Sequence, residues 1–299
     1  MGIIDLLKIV LLGLIEGVTE WLPVSSTGHL MLVSNIWERF GGRFWSDSFS
    51  KGFPEVFDFV IQFGAILAVV VVFFKKLFPL EVKEQTLSGG VSKRKLAFNQ
   101  EILSLWLKVI VACVPAFTAI FIDSLFDDLG SVAETLVISA TLIIYGVAFI
   151  VVENLNKDKQ PKTQTIGEMS YFTAFLIGCF QVLAVIPGTS RSGVTIIGAL
   201  LLGVSRVAAS EFTFFLAIPT MVGASGFKIL KFILNGGSFS SPEILALLIG
   251  SAVAFIVSIL TIKMLMNFVK KNNFKPFGWY RIALGALLIL AFILSPKLY

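Results

Sequence analysis

The sequence predicts an all-α polytopic membrane protein built as an inverted-topology repeat, each unit a re-entrant helix-loop-helix hairpin followed by three transmembrane helices. Three observations carry that expectation. The 299 residues are 56% hydrophobic and only 14% charged, with a mean hydropathy of +0.90, whereas soluble domains carry about a quarter charged residues. Six apolar runs reach the length of about 20 residues that crosses a bilayer. Two further apolar segments are each broken by a proline and a polar motif.

Taken in order, the first broken segment covers about 3 to 36, and its opening stretch contains Asp5 and Lys8 and runs straight into Glu16. Without a basic leader or a small-residue cleavage site it reads as part of the mature fold. Three spans follow near 54–74, 103–122 and 132–152; the second broken segment, about 168–203, precedes spans near 207–233, 243–266 and 278–295. Pro23 and Pro187 each remove a backbone donor, and Gly28 and Gly188 ease turning. Each half of a broken segment is too short to cross alone, and irregular backbone at membrane depth is tolerated only inside protein or beside a watery cavity. Both segments therefore read as re-entrant hairpins.

Loop charge gives the orientation. Lys75, Lys76, Lys83, Lys93, Arg94 and Lys95 follow the first span, whereas the next loop holds Asp123, Asp127 and Asp128 and no base. The first loop is placed in the cytoplasm, and the bases Lys157, Lys159, Lys162, Lys270, Lys271 and Lys275 alternate accordingly; Arg39 to Lys51 is the discordant segment. One hairpin plus three spans makes an odd number of crossings, so a second copy is inverted, with the hairpin tips meeting near mid-membrane. The expected organisation is one membrane domain, 1–299, with repeat one about 1–155 and repeat two about 165–299. Gly13 and Glu16 match Gly178 and Gln181, and Pro23 and Ser26 match Pro187 and Ser190 with a one-residue offset between the two pairs. Cys113 and Cys179 have no metal-like spacing and read as small core residues. Ser139, Ser251 and Ser258 read as helix-packing residues. The formal charge of +5 comes from bases in the loops; with no basic domain or aromatic-interleaved patch, nucleic-acid binding is excluded.

The chemistry lies in the hairpins. Glu16 and Glu20 share a helix face, where two carboxylates repel unless a cation or a proton intervenes. A hard divalent ion bound through them and through substrate phosphate oxygens would relieve the repulsion; Mg²⁺ is the expected ion, with Ca²⁺ the alternative. The other reading is that one carboxyl is protonated or paired with a base. Ser25, Ser26 and Thr27 precede an apolar helix expected to begin near Leu30, which forms an anion site at a helix N-terminus. His29, the only histidine, stands three residues beyond Ser26, placed to take its proton or to protonate a leaving group. For an isolated motif, Ser and Thr capping a helix would suffice.

In the second motif Arg191 lies between Ser190 and Ser192, after Pro187 and Gly188, at the start of a helix expected over Gly193 to Gly203. There its guanidinium and nearby N–H groups can grip phosphate oxygens; snorkelling to the interface is the competing reading. The first half thus holds catalytic groups and the second a phosphate clamp. Arg281, after Trp279 and Tyr280, is a further candidate phosphate ligand or an interfacial anchor. Glu211 and Asp58 read as partners for bases.

Glu16-x-x-x-Glu20-x-x-Pro23-Val-Ser-Ser-Thr-Gly-His29, followed by Pro187-Gly-x-Ser-Arg-Ser-x-x-Thr195, resembles the two signature motifs of the undecaprenyl-pyrophosphate phosphatase family, also called bacitracin-resistance proteins. The resemblance covers the chain in order and length. It implies an integral enzyme of the bacterial plasma (inner) membrane, its site opening to the outer leaflet, that converts undecaprenyl pyrophosphate to the monophosphate carrier reused in peptidoglycan synthesis. Bacitracin resistance is implied as well, because that antibiotic sequesters the pyrophosphate. By resemblance, Ser26 is the nucleophile, His29 the proton-transfer group, Glu16 and Glu20 the metal-linked acids, and Arg191 with Ser190 the phosphate-binding element. Attack by water activated by His29 is the mechanistic alternative. The implied partners are the polyprenyl pyrophosphate lipid and the bilayer; a homo-oligomer stays open. The alternative function is a flippase or transporter of polyprenyl phosphate, which would not require Ser26, His29 and the paired glutamates; a silent scaffold would have no reason to bury so much charge.

Overall fold

The computed structural model describes residues 2–50, 52–86, 92–119, 122 and 130–294. Helices α1 (Ile3–Thr19) and α2 (Ser26–Gly41) form the first hairpin, and at 17 and 16 residues each is about 25 Å long at the α-helical rise. Neither spans a hydrocarbon core of about 30 Å. Helix α3 (Phe53–Val72), with a proline in its first turn, leads through the single turn α4 (Phe74–Leu77). Helix α5 (Gln100–Cys113) is capped by Asn99, whose side chain accepts from the N–H groups of Glu101 and Ile102, and continues as the 3₁₀ turn Val114–Thr118, where Pro115 removes a backbone donor. Helix α6 (Ser131–Leu155) ends the first half.

The second half runs α7 (Tyr171–Val182), a 3₁₀ turn Leu183–Val185 and α8 (Arg191–Leu201), then α9 (Arg206–Leu234), α10 (Ser241–Val269) and α11 (Lys275–Leu294). Ser205 caps α9, and Ser240 with Glu243 forms a capping box on α10. Six helical segments are long and apolar enough to cross a bilayer: Phe53–Val72, Gln100–Thr118, Val132–Leu155, Arg206–Leu234, Ser241–Val269 and Lys275–Leu294. They coincide with the six expected runs, their ends displaced by a few residues where caps and loop chemistry decide. Leu248, Ile256, Leu260 and Met264 stand exposed along α10; such an apolar band is a lipid-facing surface.

Four details differ from expectation. The loop after α4 contains an antiparallel hairpin, β1 (Leu80–Thr86) and β2 (Ser92–Phe98), with Leu80 opposite Phe98 and Thr86 opposite Ser92; its charged composition read as an irregular loop. Helix α2 begins at Ser26 rather than near Leu30, and α8 at Arg191 rather than Gly193, because the polar residues form first helical turns instead of preceding them. Cys179 is exposed and Cys113 only half-buried, so Cys179 is not a core residue; it lies on the outward side of an apolar helix, where residue type does not separate lipid from core. Asp123, Asp127, Asp128 and Lys51 lie outside the described residues.

Helices α1 and α3 pack along α10, α9 packs on α3, α5 on α7, and α6 along α11. Two glycines allow the hairpins to sit close: a Cβ on Gly13 would stand 2.8 Å from the Gly250 carbonyl oxygen of α10, and one on Gly178 would stand 2.1 Å from that of Ala112 in α5. Ser251 and Ser258 reach carbonyls of neighbouring elements, Val60 and Gly17, and Ser139 bonds back to Thr135, in keeping with packing roles. Glu211 is paired with Lys76 at 2.7 Å, as expected of it. Glu153 accepts Arg206 through Nε at 2.9 Å and Nη2 at 2.5 Å, and also the Phe274 N–H, tying α6, α9 and the start of α11 together.

Candidate active site

Each hairpin turns on a serine in the left-handed region. Ser25 has φ 73° and ψ 102°, Ser190 φ 66° and ψ 113°, and among the described residues they are the non-glycine residues with positive φ. Such strain costs about 1–3 kcal/mol and collects at functional sites. Each hydroxyl oxygen accepts from the N–H three residues on, Gly28 at 3.4 Å and Gly193 at 3.2 Å. The shared geometry corrects the expected repeat register: Ser25, not Ser26, corresponds to Ser190. One constant spacing then relates Gly13 to Gly178, Glu16 to Gln181, Ser25 to Ser190 and Gly28 to Gly193, and the one-residue offset disappears. Ser26 consequently corresponds to Arg191, each being the first residue of its helix.

Glu20 joins the two motifs. It follows the last turn of α1, and its carboxylate accepts from Arg191 Nη2 at 3.0 Å through Oε1 and from Ser26 Oγ at 3.1 Å through Oε2. The pair is largely buried, with side-chain exposures of 14% for Arg191 and 10% for Glu20, so solvent screens it little. Arg191 also donates to the Thr213 carbonyl at 3.3 Å and lies 6.0 Å from the ring centre of Trp21. Trp21 is fully buried and packs edge-on against Phe214. Ser192 Oγ sits 3.1 Å from the Glu20 carbonyl oxygen, 3.3 Å from that of Leu22 and 3.2 Å from Ser190 Oγ, stitching the loops together.

The expected pairing of Ser26 with His29 is not what the structure shows. His29 Nδ1 lies 2.7 Å from the Ser25 carbonyl oxygen, one helical turn back, and Nε2 lies 2.6 Å from the Tyr280 hydroxyl. The turn of α2 that brings Ser25 within reach holds both ring nitrogens away from Ser26, and the carboxylate facing Ser26 is that of Glu20.

Of the two readings of Arg281, the structure removes one. The side chain is fully buried, so it is no interfacial anchor. Its Nη1 donates to the Pro23 carbonyl at 3.3 Å and its Nη2 to those of Gly188 at 3.0 Å and Thr189 at 3.1 Å. Pro23 and Gly188 are equivalent positions in the corrected register, so one guanidinium grips the same carbonyl of both loops. Gly188 has φ +80°, and a Cβ there would meet Thr141 Oγ1 at 2.4 Å; the position serves the turn itself. Ser25 is spent on its cap, while Thr27 is exposed in the first turn of α2.

Glu16 is buried, and neither carboxylate oxygen has a hydrogen-bond partner. An orphaned buried carboxylate one turn from Glu20 fits a cation and is costly without one. Among the described residues no group of three or more His, Cys, Asp or Glu side chains is placed to hold a metal ion. The protein's donor set for an ion would therefore be the two glutamates, with the remaining ligands supplied by substrate and water, the usual manner of Mg²⁺. Beside this polar centre an apolar cavity of about 560 Å³ is lined by Leu14, Val18, Leu22, Phe277, His29 and Tyr280 among others.

Sequence reading missed Tyr280. It lies 251 residues from His29, and its only signal is its place between Trp279 and Arg281, which gave it no role of its own.

Six helices long and apolar enough to cross a bilayer, with a Glu20–Ser26–Arg191 cluster and an apolar cavity alongside, define a multi-pass membrane protein with a polar site in its interior. The chain belongs to the family described as bacitracin resistance protein BacA, whose model matches residues 9–287. It is 52% identical over 295 residues to an undecaprenyl-diphosphatase of Lachnoclostridium phytofermentans, covering 99% of this chain and 100% of that protein. It is 53% identical over 291 residues to one of Enterococcus faecalis, covering 97% and 98%, and 50% identical over 294 residues to one of Desulfitobacterium hafniense, covering 98% of each.

Proposed function

We propose that this chain is an undecaprenyl-diphosphatase, hydrolysing undecaprenyl pyrophosphate to undecaprenyl phosphate and inorganic phosphate, returning the lipid carrier to peptidoglycan synthesis and thereby conferring bacitracin resistance. Family membership and full-length relatives of that name support the activity. The observation that carries the mechanism is the Glu20 carboxylate, which holds the Ser26 hydroxyl at 3.1 Å and Arg191 at 3.0 Å.

Arg191 and the N–H groups opening α2 and α8 bind and neutralise the pyrophosphate. Ser26 Oγ attacks the terminal phosphorus; the bond to the bridging oxygen breaks, its electron pair leaves with undecaprenyl phosphate, and the Ser26 proton passes to Glu20. Water then attacks the phosphoserine, Ser26 recovers its proton from Glu20 as the P–O bond breaks, and the proton of the water goes to His29 Nε2, displacing the hydrogen bond from Tyr280, and from there to solvent. Direct attack by that water is the competing route, and trapping of phosphoserine separates the two. Glu16 and Glu20 would hold a divalent cation, Mg²⁺ or Ca²⁺, which when bound neutralises charge spreading over the transferred phosphoryl group. The apolar cavity suits the first isoprene units.

The two halves are related by inversion in this reading. Helix α1 packs on α10 as α7 packs on α5, and α3 with α9 and α6 with α11 form the self-paired sets that a two-fold axis in the membrane plane requires. Loop charge favours an orientation with the first hairpin entering from outside, and the family resemblance favours the bacterial plasma membrane with the site opening to the outer leaflet.

The test is phosphate release from undecaprenyl pyrophosphate by detergent-purified protein, with Ser26→Ala and a chelator-treated sample beside the native chain. Release by native protein alone supports the metal-assisted serine mechanism. Absence of release from folded native protein overturns the phosphatase reading and leaves lipid transport in its place.

A further inference from the structure

The catalytic groups above come from the two hairpins, yet the group closest to the proton-transfer residue comes from the last helix. Tyr280, in α11, places its hydroxyl 2.6 Å from His29 Nε2, with the two rings at an interplanar angle of 6° and centroids 5.6 Å apart. The other ring nitrogen fixes the sense of this bond. Nδ1 lies 2.7 Å from the Ser25 carbonyl oxygen, which only accepts, so Nδ1 carries the ring proton, and Nε2 presents a lone pair to which the phenol donates.

Both ends of this chain of bonds are anchored. Ser25 is the left-handed residue whose hydroxyl accepts from the Gly28 N–H. The residue after Tyr280, Arg281, grips the loop carbonyls of Pro23, Gly188 and Thr189. A movement of either interhelix loop therefore moves the backbone that carries the phenol. Tyr280 and His29 also share the wall of the apolar cavity, so the phenol stands where the polar site meets the space assigned to the lipid tail.

We propose that Tyr280 is a positioning residue for His29: it holds the imidazole in the tautomer with Nδ1 protonated and Nε2 free of a proton, on the wall of the cavity that both rings line, and the phenol gives up that lone pair when His29 takes a proton. The inference rests on the phosphatase reading for its kinetic consequence but not for its structural one.

His29 is the only histidine in the chain, so protein labelled with [¹⁵N]histidine and purified through a tag without histidine gives the signals of one imidazole. The native protein is expected to show a protonated Nδ1 and an unprotonated, hydrogen-bonded Nε2. Tyr280→Phe keeps the stacked ring and removes only the hydroxyl; its Nε2 resonance is expected to move to that of an unbonded nitrogen, while kcat falls by about 10-fold and KM stays unchanged. An unmoved Nε2 signal overturns the proposal, as does a moved signal with native kcat. A raised KM with native kcat makes Tyr280 a contact for the lipid tail and likewise overturns it. A native protein with the expected imidazole signals and no phosphatase activity would refute the functional reading and leave the hydrogen bond standing.

Discussion

Replacing Arg281 with Met tests whether the last helix holds the active-site loops together. The guanidinium is fully buried and satisfies three carbonyl oxygens, of Pro23, Gly188 and Thr189, at 3.3, 3.0 and 3.1 Å. Methionine fills much of the same space and donates nothing. Each orphaned buried carbonyl costs about 1–3 kcal/mol. The gross loss is offset in part because a desolvated cation is no longer buried, which leaves a net destabilisation of about 3–5 kcal/mol, the range seen when one member of a buried charged contact is removed. The damage is local: the freed carbonyls flank Ser25 and Ser190, and a shift of about 1 Å in either loop misplaces Ser26 or Arg191 enough to cost about 100-fold in rate. Arg281→Lys keeps the charge but has one nitrogen where two are used on separate loops, so it is expected to recover part of the stability and little of the rate. Thermal unfolding in detergent and phosphate release are measured on the same samples. A variant with native unfolding temperature and raised KM, restored by lysine, would refute the clamp and make Arg281 a phosphate ligand instead.

Gly188→Ala adds a methyl where φ is +80° and where Thr141 Oγ1 and Ile138 Cα would lie 2.4 and 2.7 Å away; strain and overpacking together are expected to cost about 2–5 kcal/mol, seen as a lowered unfolding temperature with activity reduced in parallel. Glu20→Gln keeps the shape but cannot take the Ser26 proton, so kcat is expected to fall at least about 100-fold while circular dichroism stays native; retained activity would remove Glu20 as the proton acceptor. Because Glu16 is buried with both oxygens unpartnered, Mg²⁺ is expected to raise the unfolding temperature of the native chain. Glu16→Gln is expected to abolish that rise and to be the more stable form in chelator, and an equal Mg²⁺ response in both would exclude Glu16 as an ion ligand.

The membrane fold is legible because its cause is one-dimensional: a run of apolar residues long enough to cross lipid needs no knowledge of its neighbours. The hairpins are legible for the complementary reason, since Pro23 and Pro187 interrupt apolar runs whose halves are each too short to cross a bilayer alone. The β1–β2 hairpin is not legible, because Glu81, Lys83, Glu84, Lys93, Arg94 and Lys95 make its strands read as a charged loop rather than as the run of β-branched and aromatic residues that marks a strand. Cys179 shows a second limit. On a helix apolar all round, residue type does not say which side meets protein and which meets lipid, and only the packing of α7 against α5 decides it.

The site was legible as a set of residues but not as a set of partners, and one backbone feature explains much of the difference. A serine at positive φ has no signature in sequence, and residue identity drew the repeat onto Pro23 with Pro187 and Ser26 with Ser190. Conformation instead places Ser25 with Ser190, each capping its helix in the same way. That single-residue change puts Ser26 and Arg191 at equivalent first turns, on either side of the Glu20 carboxylate, and gives Arg281 equivalent carbonyls, of Pro23 and Gly188, to hold. Within α2, His29 lies one turn beyond Ser25 and so meets its carbonyl, with Tyr280 on the other side of the ring. A site formed where two like turns meet can thus assign unlike roles to matched positions, a hydroxyl in one half and a guanidinium in the other, because the shared backbone geometry fixes where each side chain begins and its chemistry decides what it does there.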